Sequence, residues 1–171
     1  LTSLYFGDAL RYDPNNLRHP DRDLVAVRGH LGPLRYSIFS VLGEVQPDEL
    51  STYRRLGSRL QGHEEHEIMP GVDLTPSGSL GMLLSYGVGA SVTARTEGRD
   101  RISYIFLGDG EEQEGNVSEA ARHAAAIGLD NLVAIVDKNG KQLSDPVATV
   151  DVADLEQTWR GYGWDVLPPI D

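Results

Sequence analysis

The stretch "ISYIFLGDGEEQEGNVSEAARHAAAIGLDNLVAIVDKNG", residues 102–140, decides the fold class. "ISYIFL" (102–107) is a short apolar run without strict alternation, the pattern of a strand covered on both faces in a parallel sheet. "GDGEEQEGN" (108–116) then interrupts it with four acidic residues in nine positions. Asn116 with Glu119 three positions later has the form of a capping box, so a helix is expected to begin near Val117. It should run through "SEAARHAAAI" and stop at Gly128, a residue suited to the left-handed conformation after a helix end. "LVAIV" (132–136) is the next strand. Strand, crossover helix and strand imply two parallel neighbours, and hence an α/β domain with helices on both faces of a parallel sheet.

Working outward, the same alternation continues. Residues 1–10 read as the end of a helix, and the Pro/Asn/Asp-rich "RYDPNNLRHPDRD" as a loop. "LVAV" (24–27) reads as a short buried strand. Residues 33–42 have helical apolar spacing, with Pro33 acceptable in the first turn. Pro47 and Asp48 are expected to open a helix over "DELSTYRRL". Residues 80–94 read as a helix buried on most sides, with "GVG" (87–89) serving helix packing. "VADLEQTWRGYG" (152–163) reads as a further helix and "WDVL" (164–167) as a strand.

With 171 residues the chain is long enough for one domain with a real core. Its longest apolar runs are five to six residues, far short of the roughly 20 needed to cross a bilayer, so no membrane association is expected. The net charge of −11 argues against nucleic-acid binding, which rests on basic surface. There is no cysteine, which excludes disulfides, a thiolate nucleophile and cysteine-based zinc sites. No basic stretch followed by an apolar one marks the N-terminus as a secretory signal, and a cytoplasmic location is expected.

In a unit of two parallel strands, both strands end at the same edge of the sheet. Asp109 follows the first strand and Asn139 the second, 30 positions later. Ligands of open parallel sheets bind at that edge. A carboxylate and an amide oxygen are hard donors, suited to Mg²⁺ or Ca²⁺, and Mg²⁺ completes its shell with water and phosphate oxygens. Gly108 and Gly110 would let the backbone approach a phosphate. The two turns therefore read either as a metal–diphosphate clamp or as ordinary Gly/Asp turns after strands.

GDG, then 28 residues, then Asn, resembles the thiamine-diphosphate-binding pattern, and the surrounding run resembles the transketolase branch of the thiamine-dependent enzymes. The resemblance also takes in "RGH" (28–30), "LQGHEEHEIMPGVDLTPSGSLGMLLSYGVG" (60–89) and "WRGYGWDV" (159–166). It implies a single diphosphate-binding domain over residues 1–171, truncated at both ends, with the thiamine-diphosphate-binding fold. It implies a thiamine-diphosphate- and Mg²⁺-dependent transferase. Asp109, Asn139 and the carbonyl of Lys141 would hold the metal. Gly108 and Gly110 would meet the diphosphate, Gly110 through its N–H. Gly78, Ser79 and Leu80 would lie beside the cofactor's rings, Ser79 being alternatively a helix cap. Glu114 would join a carboxylate network at the subunit interface. His30 and His63 would line the substrate channel and handle charge and protons at the substrate's oxygens.

The resemblance has departures and gaps. The family usually has Pro where Glu64 stands, so Glu64 and Glu65 would add two acids beside the channel. "HEEHE" (63–67) has one residue between Glu64 and His66 where HExxH has two, so zinc is not expected. The activating glutamate of the family belongs to a pyrimidine-binding half that is not in these residues. The reading is thus the N-terminal subunit of a split transketolase-like enzyme, moving a two-carbon ketol unit from a ketose donor to an aldose acceptor. Its partner would be a C-terminal pyrimidine-binding subunit, in a heterotetramer of two plus two. An acyl-forming subunit like the decarboxylating component of 2-oxoacid dehydrogenases, or one loading a carrier protein, stays open, as does a non-catalytic subunit with a vestigial site. A Mg²⁺-dependent phosphohydrolase would need a further nucleophilic or general-base acid.

Overall fold

A computed structural model describes residues 1–74, 78–143 and 145–170. Its sheet has three parallel strands in the order β1 (Leu24–Val27), β2 (Ser103–Gly108) and β3 (Leu132–Asp137). The register pairs Val27 with Phe106 and Gly108 with Asp137. The helices are α1 (Thr2–Phe6), α2 (Gly32–Val41), α3 (Leu83–Thr96), α4 (Gly115–Ala126) and α5 (Leu155–Tyr162).

The two-residue period of the strands divides the core in two. Val25, Val27, Tyr104 and Phe106 face one side, where Tyr36 and Phe39 of α2 and the loop residues Leu60, Met69 and Val72 cover them. Ala26, Ile105, Leu107 and Leu132 face the other, under α3, α4 and Trp159 of α5. Every residue of β2 is buried, which is why its sequence does not alternate. Helices therefore lie on both faces of a parallel sheet, as the sequence implies.

Buried charge fixes the loop between α2 and α3. Arg35, 1% exposed, donates to Glu64 at 3.1 Å, to the carbonyl of Val25 at 2.7 Å and to that of Gly71 at 3.0 Å. Arg22 pairs with Asp73, whose carboxylate also accepts the Val25 N–H at 2.9 Å. The outer edge of β1 is thereby held at Val25 by Asp73 and by Arg35 of α2, which in turn ties in Glu64 and Gly71.

Several elements differ from expectation for local reasons. α4 begins at Gly115 after a 3₁₀ turn, Glu111–Gln113, with Glu114 at its cap position and no side-chain cap. Asn116 lies inside the helix and donates to the Met82 sulfur at 3.1 Å, so no capping box forms. The helix expected over "DELSTYRRL" is only a 3₁₀ turn, Glu49–Thr52, ended by an extended Tyr53 and a left-handed Arg54 (φ 59°). "WDVL" forms no strand: Trp164 donates to the Ala121 carbonyl of α4 at 2.9 Å and meets Trp159 edge-on, holding this segment over the helices. α3 starts at Leu83 with Met82 as its cap residue, so Ser79 does not cap it. α3 is also one-sided: Leu84, Gly87, Val88, Ser91 and Ala94 are buried, whereas Tyr86 and Gly89 are exposed. No described helix is long and apolar enough to cross a membrane.

The two glycines of "GVG" are not equivalent. A Cβ on Gly87 would lie 2.6 Å from Ile105 Cδ1 and 3.2 Å from Leu132 Cδ1, whereas one on Gly89 meets nothing within 4 Å. Gly87→Ala should lower unfolding free energy by about 1–3 kcal/mol through overpacking. Gly89→Ala should raise it by roughly 0.5–1 kcal/mol through helix propensity. Urea unfolding of both variants checks the pair; equal effects would mean that α3 does not seat on β2 as described.

Candidate active site

All three strands end at one edge, and the site grows from their last residues. Asp109 leaves β2 with only 2% of its surface exposed. One carboxylate oxygen accepts the Gly110 N–H at 2.9 Å and the other the Gly140 N–H at 2.6 Å. The Asp109 N–H reaches the Asp137 carbonyl at 3.3 Å. One buried carboxylate thus joins the turns after β2 and β3. Asn139, at the exposed tip of the second turn, accepts the Lys141 N–H through Oδ1 at 2.9 Å and donates from Nδ2 to Asp137 at 3.1 Å.

The donor set at these turns is a carboxylate, an amide oxygen and a backbone carbonyl. Each has lone pairs beyond those used by single N–H groups. All are hard oxygens and fit Mg²⁺. Among the described residues no group of three His, Cys, Asp or Glu side chains gathers to hold a metal, "HEEHE" included. A cation here would therefore draw its remaining ligands from water or a phosphorylated cofactor. The Gly110 N–H points at Asp109 rather than outward, so a diphosphate contact there would have to share it.

The sequence reading missed a belt of charge under these turns. Arg28, just past β1, crosses Gly108 and pairs with Asp137 at the end of β3. A Cβ on Gly108 would fall 1.9 Å from the Arg28 guanidinium, the far end of a flexible side chain that would then have to shift. The only signal available was a charged residue at the end of each apolar run. Glu111 is buried and accepts the N–H of Gly81 at 3.0 Å and of Gly108 at 3.4 Å. Burial holds its carboxyl above the usual glutamate range, against the pull of those two N–H groups and of Arg28 and His30.

His30 lies in the 3₁₀ turn Gly29–Leu31 and His63 in the loop after Gly62, and both are exposed. Their segments pack together: a Cβ on Gly32 would lie 3.9 Å from the Gly62 carbonyl oxygen. Glu64 does not join the channel. It is 2% exposed and turned inward to Arg35, so of the two adjacent acids only Glu65 faces solvent. Gly78, Ser79 and Leu80 are exposed on the turn before α3; Thr75, Pro76 and Ser77 of the same motif lie outside the described residues. Glu114 is exposed and lies under that turn, its Cβ 2.5 Å from where a Gly81 Cβ would be. Lys141 is exposed and bridges to Pro146.

The family model described as "Transketolase, thiamine diphosphate binding domain" matches residues 1–171. The chain belongs to the transketolase family. It is 39% identical over 168 residues to an apulose-4-phosphate transketolase subunit of Actinobacillus succinogenes, covering 97% of this chain and 60% of that one. It is 35% identical over 168 residues to a 6-deoxy-6-sulfo-D-fructose transketolase subunit of Clostridium sp., again covering 97% of this chain and 60% of that one. This transketolase-family chain spans about three-fifths of the length of these curated relatives. Its fold matches a Pichia stipitis transketolase, solved in complex with sedoheptulose-7-phosphate, with a TM-score of 0.85 at 31% identity. That match covers 91% of this chain and 25% of the other. The Campylobacter jejuni transketolase also gives 0.85, at 28% identity, covering 90% of this chain and 26% of that one.

Glu112 gives this transketolase domain a pH-dependent element. Its carboxylate accepts the indole N–H of Trp159 at 2.9 Å, and its other oxygen is buried without a partner. Burial, with the charges of Glu111 and Asp109, pushes its pKa from near 4.5 up to about 7, against the Trp159 bond. The folded chain therefore keeps a proton that the unfolded chain releases between those values. Stability should fall as pH rises through that window and level off above it. Glu112→Gln should reduce the fall by about 2 kcal/mol. Urea unfolding at pH 5 and pH 8 measures it; an unchanged slope in the variant would place the carboxylate in solvent.

Proposed function

We propose that this chain is the thiamine-diphosphate- and Mg²⁺-binding subunit of a split transketolase, working with a C-terminal pyrimidine-binding half. The observation that carries the reading is the buried Asp109 carboxylate held between the 108–110 and 139–141 turns at the carboxyl edge of the sheet. Asp109, Asn139 and the Lys141 carbonyl would hold the metal. Thiamine diphosphate, when bound, supplies a carbon nucleophile able to carry a two-carbon ketol unit from a ketose to an aldose. Gly78, Ser79 and Leu80 would flank its rings, and Glu114 would meet the partner half.

The chain's own residues supply the acid–base work. His30 and His63 stand exposed on adjoining segments beyond the strand ends. An imidazole with a pKa near neutrality can give or take a proton at a sugar hydroxyl or carbonyl oxygen. The inward turn of Glu64 supports sugar-phosphate-like substrates, because its charge is neutralised by Arg35 instead of facing an anionic group. Relatives whose names describe them as transketolase subunits support an assembly of two halves. Two copies of each half would complete it.

Isothermal titration with thiamine diphosphate and Mg²⁺, in the presence of the partner half, tests the clamp. Asp109→Ala should weaken cofactor binding by more than about a hundredfold, consistent with loss of a charged ligand and two charge-assisted bonds. Chelation of Mg²⁺ should release the cofactor from the wild-type protein. Cofactor affinity in the variant equal to wild type would overturn the assignment. His63→Ala should reduce ketol transfer from a ketose phosphate by roughly 10²–10⁴-fold with cofactor affinity unchanged. A loss of cofactor binding in that variant would move His63 from the substrate to the clamp.

A further inference from the structure

One buried carboxylate that neither binds the expected metal nor faces the channel ties together the loops on either side of the cofactor region. The two oxygens of Glu111 accept the N–H groups of Gly81, in the turn before α3, and of Gly108, the last residue of β2. Gly81 has φ +82° and presses on Glu114, so the 78–82 turn rests on both ends of the segment 111–114. Beneath it Gly108 lies on Arg28, Arg28 pairs with Asp137, and Asp137 accepts from the Asn139 amide. Among the described residues, 78–80 have few other ties; the bond from the Met82 N–H to the Ser79 carbonyl is internal to the turn.

We propose that Glu111 is a positioning residue, whose carboxylate sets the 78–82 turn against the metal–diphosphate clamp before any cofactor arrives. The inference rests on reading this edge as the thiamine-diphosphate site. Two N–H groups converge on one side chain, and a carboxylate is the group that offers an acceptor to both and a donor to neither. Glutamine keeps one acceptor and sets an NH₂ against the second N–H. Alanine leaves both N–H groups without a partner in a buried place.

Hydrogen exchange followed by NMR on the full chain without cofactor reads this directly. The Gly81 amide should be protected in the wild type. It should exchange about tenfold faster in Glu111→Ala and by an intermediate factor in Glu111→Gln, with the Ile105 amide of β2 unchanged. With the partner half present, KM for thiamine diphosphate should rise about tenfold in Glu111→Ala, and kcat at saturating cofactor should stay within about twofold. A purely structural role would speed Gly81 and Ile105 together, and that result overturns the proposal. So would an unprotected Gly81 in the wild type, unchanged Gly81 exchange in the variants, or a fall in kcat with KM unchanged. If Glu111→Ala does not fold, Gly81 against Ile105 in Glu111→Gln decides. The exchange arm contains no cofactor, so an error in the cofactor assignment shows instead as absent binding by the wild type.

Discussion

The carboxylate of Asp109 is the fixed point of this domain. It is buried, and its two oxygens take one backbone N–H from the turn it belongs to and one from the turn after the neighbouring strand. Bonds of this kind, to a charged acceptor, contribute about 1.5–3 kcal/mol each. They form only because the sheet pairs Gly108 with Asp137, so that residues 109 and 138–140 leave the edge side by side. Arg28 under Gly108, Glu111 under Gly81 and the Asn139 turn all take their places from that register.

A second layer of constraint lies beneath. The pairs Arg35–Glu64 and Arg22–Asp73 are almost wholly buried. Such pairs give little net stability, because desolvation offsets most of the attraction, but breaking one is costly. Their effect is geometric. They hold residues 64–73 against β1, and so fix where His63 emerges next to the segment carrying His30. Glu64 is therefore accommodated inside the fold, where Arg35 neutralises it, and leaves only Glu65 of the two adjacent acids in solvent.

The reading from sequence succeeded where one local rule sufficed. The runs at 24–27, 102–107 and 132–136 are strands because apolar stretches of that length between turn residues have little else to become. The helices on both faces followed from the alternation of elements. Local rules failed where two elements compete for one segment. Asn116 has the right spacing for a cap, but the preceding 3₁₀ turn sets the helix start at Gly115 and leaves Asn116 inside it. "WDVL" has strand composition, but its tryptophan packs on α4 and α5. The 49–52 segment has helical residues, but the chain reverses at Tyr53 and Arg54.

The candidate site divides the same way. Spacing alone is enough to put Asp109 and Asn139 after parallel strands and so at one edge, because it allows a single crossover between them. It is not enough to tell what the other acids do, since Glu64, Glu111, Glu112 and Glu114 are the same letter. Their sorting came from the folded chain: Glu64 inward to Arg35, Glu111 between two glycine N–H groups, Glu112 against an indole, Glu114 in solvent. A carboxylate's role is set by which donors surround it and how much water it keeps. For Glu64 and Glu112, and for the bond from Gly81 to Glu111, the deciding donors come from residues about 30–50 positions away, beyond the reach of any local pattern.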